Sequence, residues 1–347
     1  MEKTMKVAVL KDIREIGYEH RPIPKIEKDE VLVKLEYVGI CGSDLHFYEH
    51  GRIGDYEVGY PFVLGHEPGG IVIEVGDEVT HLKVGDRVAL EPGKTCGKCE
   101  FCKTGRYNLC PDVIFFATPP YDGAFQEYVA HEADLCFKLP QNVSTLAGAL
   151  IEPLAVGIHA ANQGEAQAGQ RAVITGAGAI GLVSLLALKY KGISEIIVID
   201  IIQKRLDKAI ELGATHVINA TAVDPVEKVM EITKGKGCDL GIETAGTETT
   251  TNGLIHMVKK GSNIVLVGYG ETGLMNLEMS LALDKEITFK TVFRYKNIYP
   301  EAIDAVAGGK IDLENIVSNV FDFDDTVNAM KQSVENKSDI VKSVIKF

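Results

Sequence analysis

The sequence predicts an α/β chain of two domains, a compact β-rich unit joined to a doubly wound parallel sheet. Up to residue 93, short apolar runs are punctuated heavily by Gly and Pro. From residue 155 onward, strand-like and helix-like segments alternate. At 347 residues and 46% hydrophobic, the chain is long enough to bury two sizeable cores.

In order, residues 5–10 and 31–38 have strand composition with partial alternation, and further short strands fall at Gly70–Val75 and Arg87–Leu90. Turn signals such as Gly85-Asp86 bound them, which predicts a barrel or sandwich with its functional segments on loops. Two such segments stand out. One is Cys41-Gly-Ser43-Asp-Leu-His46; the other is Gly65-His66-Glu67-Pro. A third, Ile151-Glu152-Pro-Leu, follows. Thiolate, imidazole and carboxylate from separate segments form a mixed S/N/O set, the composition of a catalytic rather than a closed structural zinc site.

Cys96, Cys99, Cys102 and Cys110 follow the spacing C-x2-C-x2-C-x7-C. Four thiols on one short stretch suit a tetrahedral all-sulfur zinc site, with an iron–sulfur cluster as the competing reading. Cys136 and Cys238 fall in strand-like runs and are expected to pack as small apolar groups. An odd count of seven cysteines argues against a disulfide framework.

The second domain opens with the strand Arg171–Thr175, the turn Gly176-Ala-Gly178-Ala-Ile180-Gly181 and an apolar helix over 182–191. The strand Glu195–Asp200 follows, ending nineteen residues past Gly181. This is the strand–turn–helix context of a dinucleotide fingerprint. Gly176 makes the turn, Gly178 admits the pyrophosphate, Gly181 lets helix pack on strand, and the helix N-terminus supplies free N–H groups. Asp200 would accept from the adenosine ribose hydroxyls and repel a 2′-phosphate, favouring NAD. Further units are predicted as helix 203–212, strand 215–218, helix 225–233, strand 238–242, helix 249–258 and strand 263–267. Past Thr291 the alternation lapses, and a helix from Pro300 and a strand over 340–347 would return to the first domain. The predicted domains are 1–154 with 292–347, and 155–291.

A net charge of −13 argues against nucleic acid or an anionic membrane as partner. No apolar run reaches the length of a transmembrane helix, and the N-terminus lacks a signal-peptide core, so a cytoplasmic protein is expected.

Together these residues resemble the zinc-dependent medium-chain dehydrogenase/reductase family over essentially the whole chain. The match runs from Cys41 and Gly65-His66-Glu67 through Gly85-Asp86-Arg87-Val88 and the cysteine stretch to the glycine turn. Gly51-Arg-Ile-Gly, Gly105-Arg-Tyr-Asn-Leu, Phe116-Ala-Thr-Pro-Pro, Gly148-Ala-Leu-Ile-Glu152 and Phe293-Arg294-Tyr295-x-Asn297 resemble its sorbitol (polyol) dehydrogenase branch. The resemblance implies a GroES-like β-rich catalytic domain plus a Rossmann doubly wound parallel-sheet domain, with the active site in the cleft between. It implies two zinc ions per subunit. One is held by Cys41, His66 and Glu67 with a water, with Glu152 on or near the metal; the other is held by Cys96, Cys99, Cys102 and Cys110. NAD would be held by Gly176, Gly178, Ile180, Gly181, Asp200 and Arg205. Ser43, His46, Glu152, Arg294 and Tyr295 are the catalytic candidates. Ser43 and His46 would pass a proton to solvent, or His46 would pack on the cofactor. Arg294 and Tyr295 would grip substrate hydroxyls, or Arg294 would link the domains by a salt bridge. Phe47 stands where polyol enzymes commonly carry tyrosine. The implied activity is oxidation of a small-molecule polyol by a homotetramer or dimer. L-threonine and 2,3-butanediol dehydrogenases are the nearest alternatives. A silent NAD-binding relative and a zinc-independent reductase are the more distant ones.

Overall fold

The computed structural model describes residues 3–270 and 273–347. The chain divides into two compact units, Met1–Glu152 with Tyr299–Phe347, and Pro153–Ile298. The return to the first unit therefore comes at Tyr299, later than the 291/292 division read from the sequence. Val292 N donates to Leu266 O at 3.0 Å, so the chain is still bonded to the second unit's sheet beyond Thr291.

In the first unit, among the described residues, seven strands form one sheet. Its order is Cys136–Lys138, Arg87–Leu90, Glu67–Val75, Glu30–Ile40, Lys342–Lys346, Val317–Asp322, with Tyr128–Glu132 also paired to Glu30–Ile40. The Glu30–Ile40 strand is the spine. Val31, Val33, Leu35 and Val38 are fully buried, and they pack with Val72, Phe62, Leu64 and Phe125 into one core. Runs of consecutive buried positions, Val31–Val33 and Val38–Ile40, fit a strand covered on both faces. A hairpin of Thr4–Asp12 with Glu15–Pro22 stands beside it. The Gly42–Asp44 stretch, expected on a loop, instead begins a helix, Gly42–His50, capped by Cys41 in extended conformation.

The second unit is a six-stranded parallel sheet, again among the described residues. Its strands run His216–Asn219, Glu195–Asp200, Arg171–Thr175, Cys238–Glu243, Val258–Leu266, Thr288–Thr291. Counted from Arg171–Thr175, that is the order 3-2-1-4-5-6, with a switch point beside the first strand. The central strands are continuous apolar runs because helices cover both faces; Val173, Ile197, Leu240 and Ile264 are fully buried. Local signals set the helix ends. Asp224 accepts from Glu227 N at 3.0 Å ahead of Pro225, and Gly213 ends the Gln203–Leu212 helix in left-handed conformation. Among the described residues no helix is long and apolar enough to cross a membrane.

Candidate functional site

Cys41, His66 and Glu67 come together in the first unit. Their ligand atoms all lie within 4.8 Å of one another, with His66 and Glu67 buried and Cys41 half-buried. Sheet register explains the convergence. Cys41 follows the end of the Glu30–Ile40 strand, and Glu67 opens the strand paired to it, with Gly39 opposite Glu67. A Cβ built on Gly39 would overlap Glu67 Oε2, so only glycine leaves room for the carboxylate.

Asp44, which was not singled out in the sequence, ties these segments together. Fully buried, it accepts from Cys41 N and from Gly65 N, each at 2.9 Å. Its Oδ1 also lies 3.5 Å from His66 Nδ1. A proton on Nδ1 facing this carboxylate leaves Nε2 as the metal donor. Burial disfavours the charged His66 ring, yet Asp44 and Cys41 outweigh it and hold the imidazole well above its ordinary range. Burial likewise works against the Asp44 carboxylate, but His66 and the two amides keep it below its usual value.

A second residue that the sequence reading missed is Lys342, on the Lys342–Lys346 strand. It is 2% exposed and donates to Glu67 Oε1 at 2.6 Å and to Ile40 O at 3.0 Å, while also meeting Glu67 Oε2. Burial disfavours its ammonium, but Glu67, Cys41 and Glu152 more than compensate, raising it. Glu152 itself is buried on the first turn of the Ile151–Gln163 helix and stands outside the Cys41–His66–Glu67 set, acting on Lys342 through its charge. Ser43 is half-buried on the Gly42–His50 helix. His46 is exposed, its ring 5.3 Å from that of His50. Phe47 packs edge-on against Phe62, so position 47 is a core position.

The four remaining candidate thiols also converge, all within 4.8 Å of one another. Cys99 and Cys102 Sγ are 3.5 Å apart, Cys96 and Cys102 4.0 Å. Zn–S bonds of about 2.3 Å in a tetrahedron place sulfurs about 3.8 Å apart. The donors thus fit one ion, and a multi-iron core would need them farther apart. Amides brace the thiols, Cys99 N to Cys96 Sγ at 3.4 Å and Cys96 N to Cys110 Sγ at 3.5 Å. The backbone amides of Lys98 and Cys99 bring the Cys96 thiol down to about 7. Tyr107 Oη donates to the buried Glu91 at 2.7 Å, anchoring this lobe to the sheet. The mixed S/N/O set likewise fits a single zinc ion by donor type and spacing.

In the second unit, Gly176 has φ +96°, and a Cβ on Gly181 would overlap Gly176 O. The Ala179–Tyr190 helix starts at Gly178 with no side-chain cap, so its first amides stay available to an anion. A Cβ at Gly178 would meet only Arg205 Nη1, 3.9 Å away, which places that guanidinium over the turn. Ile180 is half-buried on the first helical turn. Asp200 closes the Glu195–Asp200 strand. Its carboxylate accepts from Ala177 N at 2.6 Å and Ile202 N at 2.8 Å, and keeps further lone pairs for ribose hydroxyls. These residues fit a dinucleotide. Arg294 and Tyr295 also belong to this unit. Arg294 adopts φ +56° with its guanidinium 4.8 Å over the Phe293 ring, and Tyr295 is 2% exposed.

The family model for the alcohol dehydrogenase GroES-like domain matches residues 27–141, and that for the zinc-binding dehydrogenase matches 179–308. The chain belongs to the zinc-dependent medium-chain dehydrogenase/reductase family. It is 44% identical to a sorbitol dehydrogenase of Bacillus subtilis, covering 99% of this chain and 97% of that protein. It is 40% identical to a probable D-xylulose reductase A of Aspergillus clavatus, over 97% of this chain and 95% of that one. Among solved structures it is similar to an Escherichia coli oxidoreductase of unknown specificity, with TM-score 0.93, 41% identity and 99% of both chains covered. The protein is thus a zinc-type oxidoreductase of the family that uses nicotinamide cofactors, with a GroES-like unit and a Rossmann unit.

Proposed function

We propose that the protein reversibly oxidises a polyol such as sorbitol or xylitol at a secondary carbinol to the ketose, with NAD and two zinc ions per subunit. The observation that carries this reading is the buried Cys41, His66 and Glu67 donor set in a chain so similar to a sorbitol dehydrogenase. Bound there, zinc would supply Lewis-acid polarisation of the substrate oxygen, and NAD would supply the hydride acceptor.

The chain's own residues do the rest. Asp44 orients His66, and Lys342 holds Glu67 in place. The glycine turn and the helix N-terminus bind pyrophosphate with Arg205 alongside, and Asp200 selects NAD over NADP. Ser43 and His46 move the carbinol proton outward, and His46 beside His50 on an exposed helix face gives it an exit to solvent. Glu152 holds a buried carboxylate close to Lys342. Arg294 and Tyr295 donate to hydroxyls beyond the reacting carbon; a guanidinium has five donors, and buried sugar hydroxyls need partners. The exposed apolar residues Tyr269, Leu274 and Leu283 suit self-association of a cytoplasmic homotetramer.

The test is a side-by-side comparison of NAD-linked rates on sorbitol, xylitol, ribitol, L-threonine and 2,3-butanediol. Polyol preference supports the proposal; preference for L-threonine or 2,3-butanediol replaces it with those activities. Arg294→Ala should lose far more rate on sorbitol than on 2-propanol, because distal hydroxyl contacts contribute to transition-state binding. Equal losses would leave Arg294 without a substrate role.

A further inference from the structure

Lys342 sits where a metal centre would ordinarily avoid a cation. The Glu30–Ile40 strand separates it from Glu67: Val344 pairs with Gly39 on one side, and Gly39 pairs with Glu67 on the other. Lys342 lies two residues before Val344, so it projects to the same face as Gly39 and Glu67. With no side chain at Gly39, the lysine and the carboxylate meet across the strand. The ammonium donates to Glu67 Oε1 and to Ile40 O, and forms an ion pair with Glu67 Oε2 as well. Lys342 and Glu67 are 2% and 1% exposed, so solvent screens the pair little.

This contact bears directly on the donor set. Without a cation, Cys41 and Glu67 would place negative charge in a buried site, which is costly unless paired. With Lys342 in place, the carboxylate is already oriented and its charge already offset. An incoming divalent ion meets a weaker field than the bare donors would present. We propose that Lys342 is a positioning residue for the Cys41–His66–Glu67 centre: it keeps the donors assembled when no metal is bound, and it weakens their grip on zinc. The proposal rests on the reading of these three residues as zinc ligands.

The experiment compares wild type, Lys342→Met, Lys342→Arg and the double variant Lys342→Met/Glu67→Gln. Each is measured as zinc-loaded and as chelator-stripped protein. Zinc affinity is read by chelator competition, thermal midpoint by calorimetry, and the donor field by the visible spectrum of the cobalt-substituted protein. In Lys342→Met the stripped protein should lose several degrees of Tm and the zinc-loaded protein much less, since the ion takes over the counter-charge. Zinc affinity should rise roughly tenfold or more, because a unit charge a few ångströms away at low effective dielectric is worth at least that. The cobalt spectrum should shift, and Lys342→Arg should restore wild-type behaviour. The double variant should recover the stripped-state Tm, since removing both partners leaves no unpaired charge. Equal Tm losses with and without metal, together with unchanged or weaker zinc binding and an unchanged cobalt spectrum, would overturn the proposal. If Lys342→Met does not fold, recovery of folding in the double variant supports the pairing, and failure there too overturns it. Cys41→Ser separates the two readings: if it releases no zinc, the ligand assignment fails, while the Lys342–Glu67 coupling in stripped protein remains measurable.

Discussion

Replacing Asp44 by alanine should damage the metal centre more than the fold. The buried carboxylate holds Cys41 N and Gly65 N at 2.9 Å each, and these amides flank two of the three donors. A hydrogen bond to a charged group contributes about 1.5–3 kcal/mol, and an orphaned buried amide adds a penalty. Two such bonds amount to roughly 3–6 kcal/mol, reduced where water can enter. For a unit of this size that is a Tm loss of about 6–24 °C. Asp44 also fixes the His66 ring, and losing such an outer partner lowers metal affinity about 10–100-fold. Asp44→Asn keeps one acceptor oxygen, so it should retain one of the two amide bonds and lie between wild type and alanine. The assays are calorimetry of the loaded protein and chelator competition for the Cys41-site zinc. A lower Tm with unchanged zinc affinity would refute the reasoning and leave Asp44 as a helix-capping residue only.

Elemental analysis should find two zinc ions per subunit, and Cys99→Ser should remove one with a loss of stability larger than its loss of turnover, as befits a closed site. Asp200→Asn should weaken NAD binding by roughly tenfold and raise the relative use of NADP, measured by fluorescence titration; the loss corresponds to one charged hydrogen bond. Burial raises the Glu91 carboxyl to about 7 despite the Tyr107 hydrogen bond. A carboxyl raised in the native state leaves stability intact below its unfolded value of 4.5 and erodes it as pH climbs through about 7. Glu91→Gln, which still accepts from Tyr107, should therefore match wild type near pH 4 and exceed it at pH 8, by an upper bound of roughly 3 kcal/mol in chemical denaturation. A difference independent of pH would count against that account.

The sequence carried the donors themselves plainly, because each lies in a short motif whose spacing has few other uses. The glycine turn was legible for the same reason, since strand, turn and helix are contiguous in the chain. Asp44 was in full view beside Cys41, but its role appears only once Gly65 folds back within reach of its second oxygen. Lys342 was harder still, since nothing local pairs it with a residue 275 positions away; its one signal is a lysine within the apolar run Ile340–Ile345. The strands Glu15–Pro22 and Val317–Asp322 were missed because their charged and half-exposed positions give little alternation to read. The helix Gly42–His50 was read as loop because its polar residues hide any apolar stripe.

The placement of the Lys342–Lys346 strand inside the first sheet, between Glu30–Ile40 and Val317–Asp322, has a consequence during synthesis. The Rossmann unit is one continuous stretch, Pro153–Ile298, and every strand of its sheet has been made well before residue 342 leaves the ribosome. The first unit is split: Tyr128–Glu132 covers residues 30–34 along one edge of its central strand, but the Tyr37–Ile40 stretch of that edge must wait unpaired until the far end of the chain arrives. An exposed strand edge is a template for wrong pairing. The nascent protein therefore carries a complete dinucleotide-unit sheet while the sheet of the other unit still lacks the strand that brings Lys342 to Glu67.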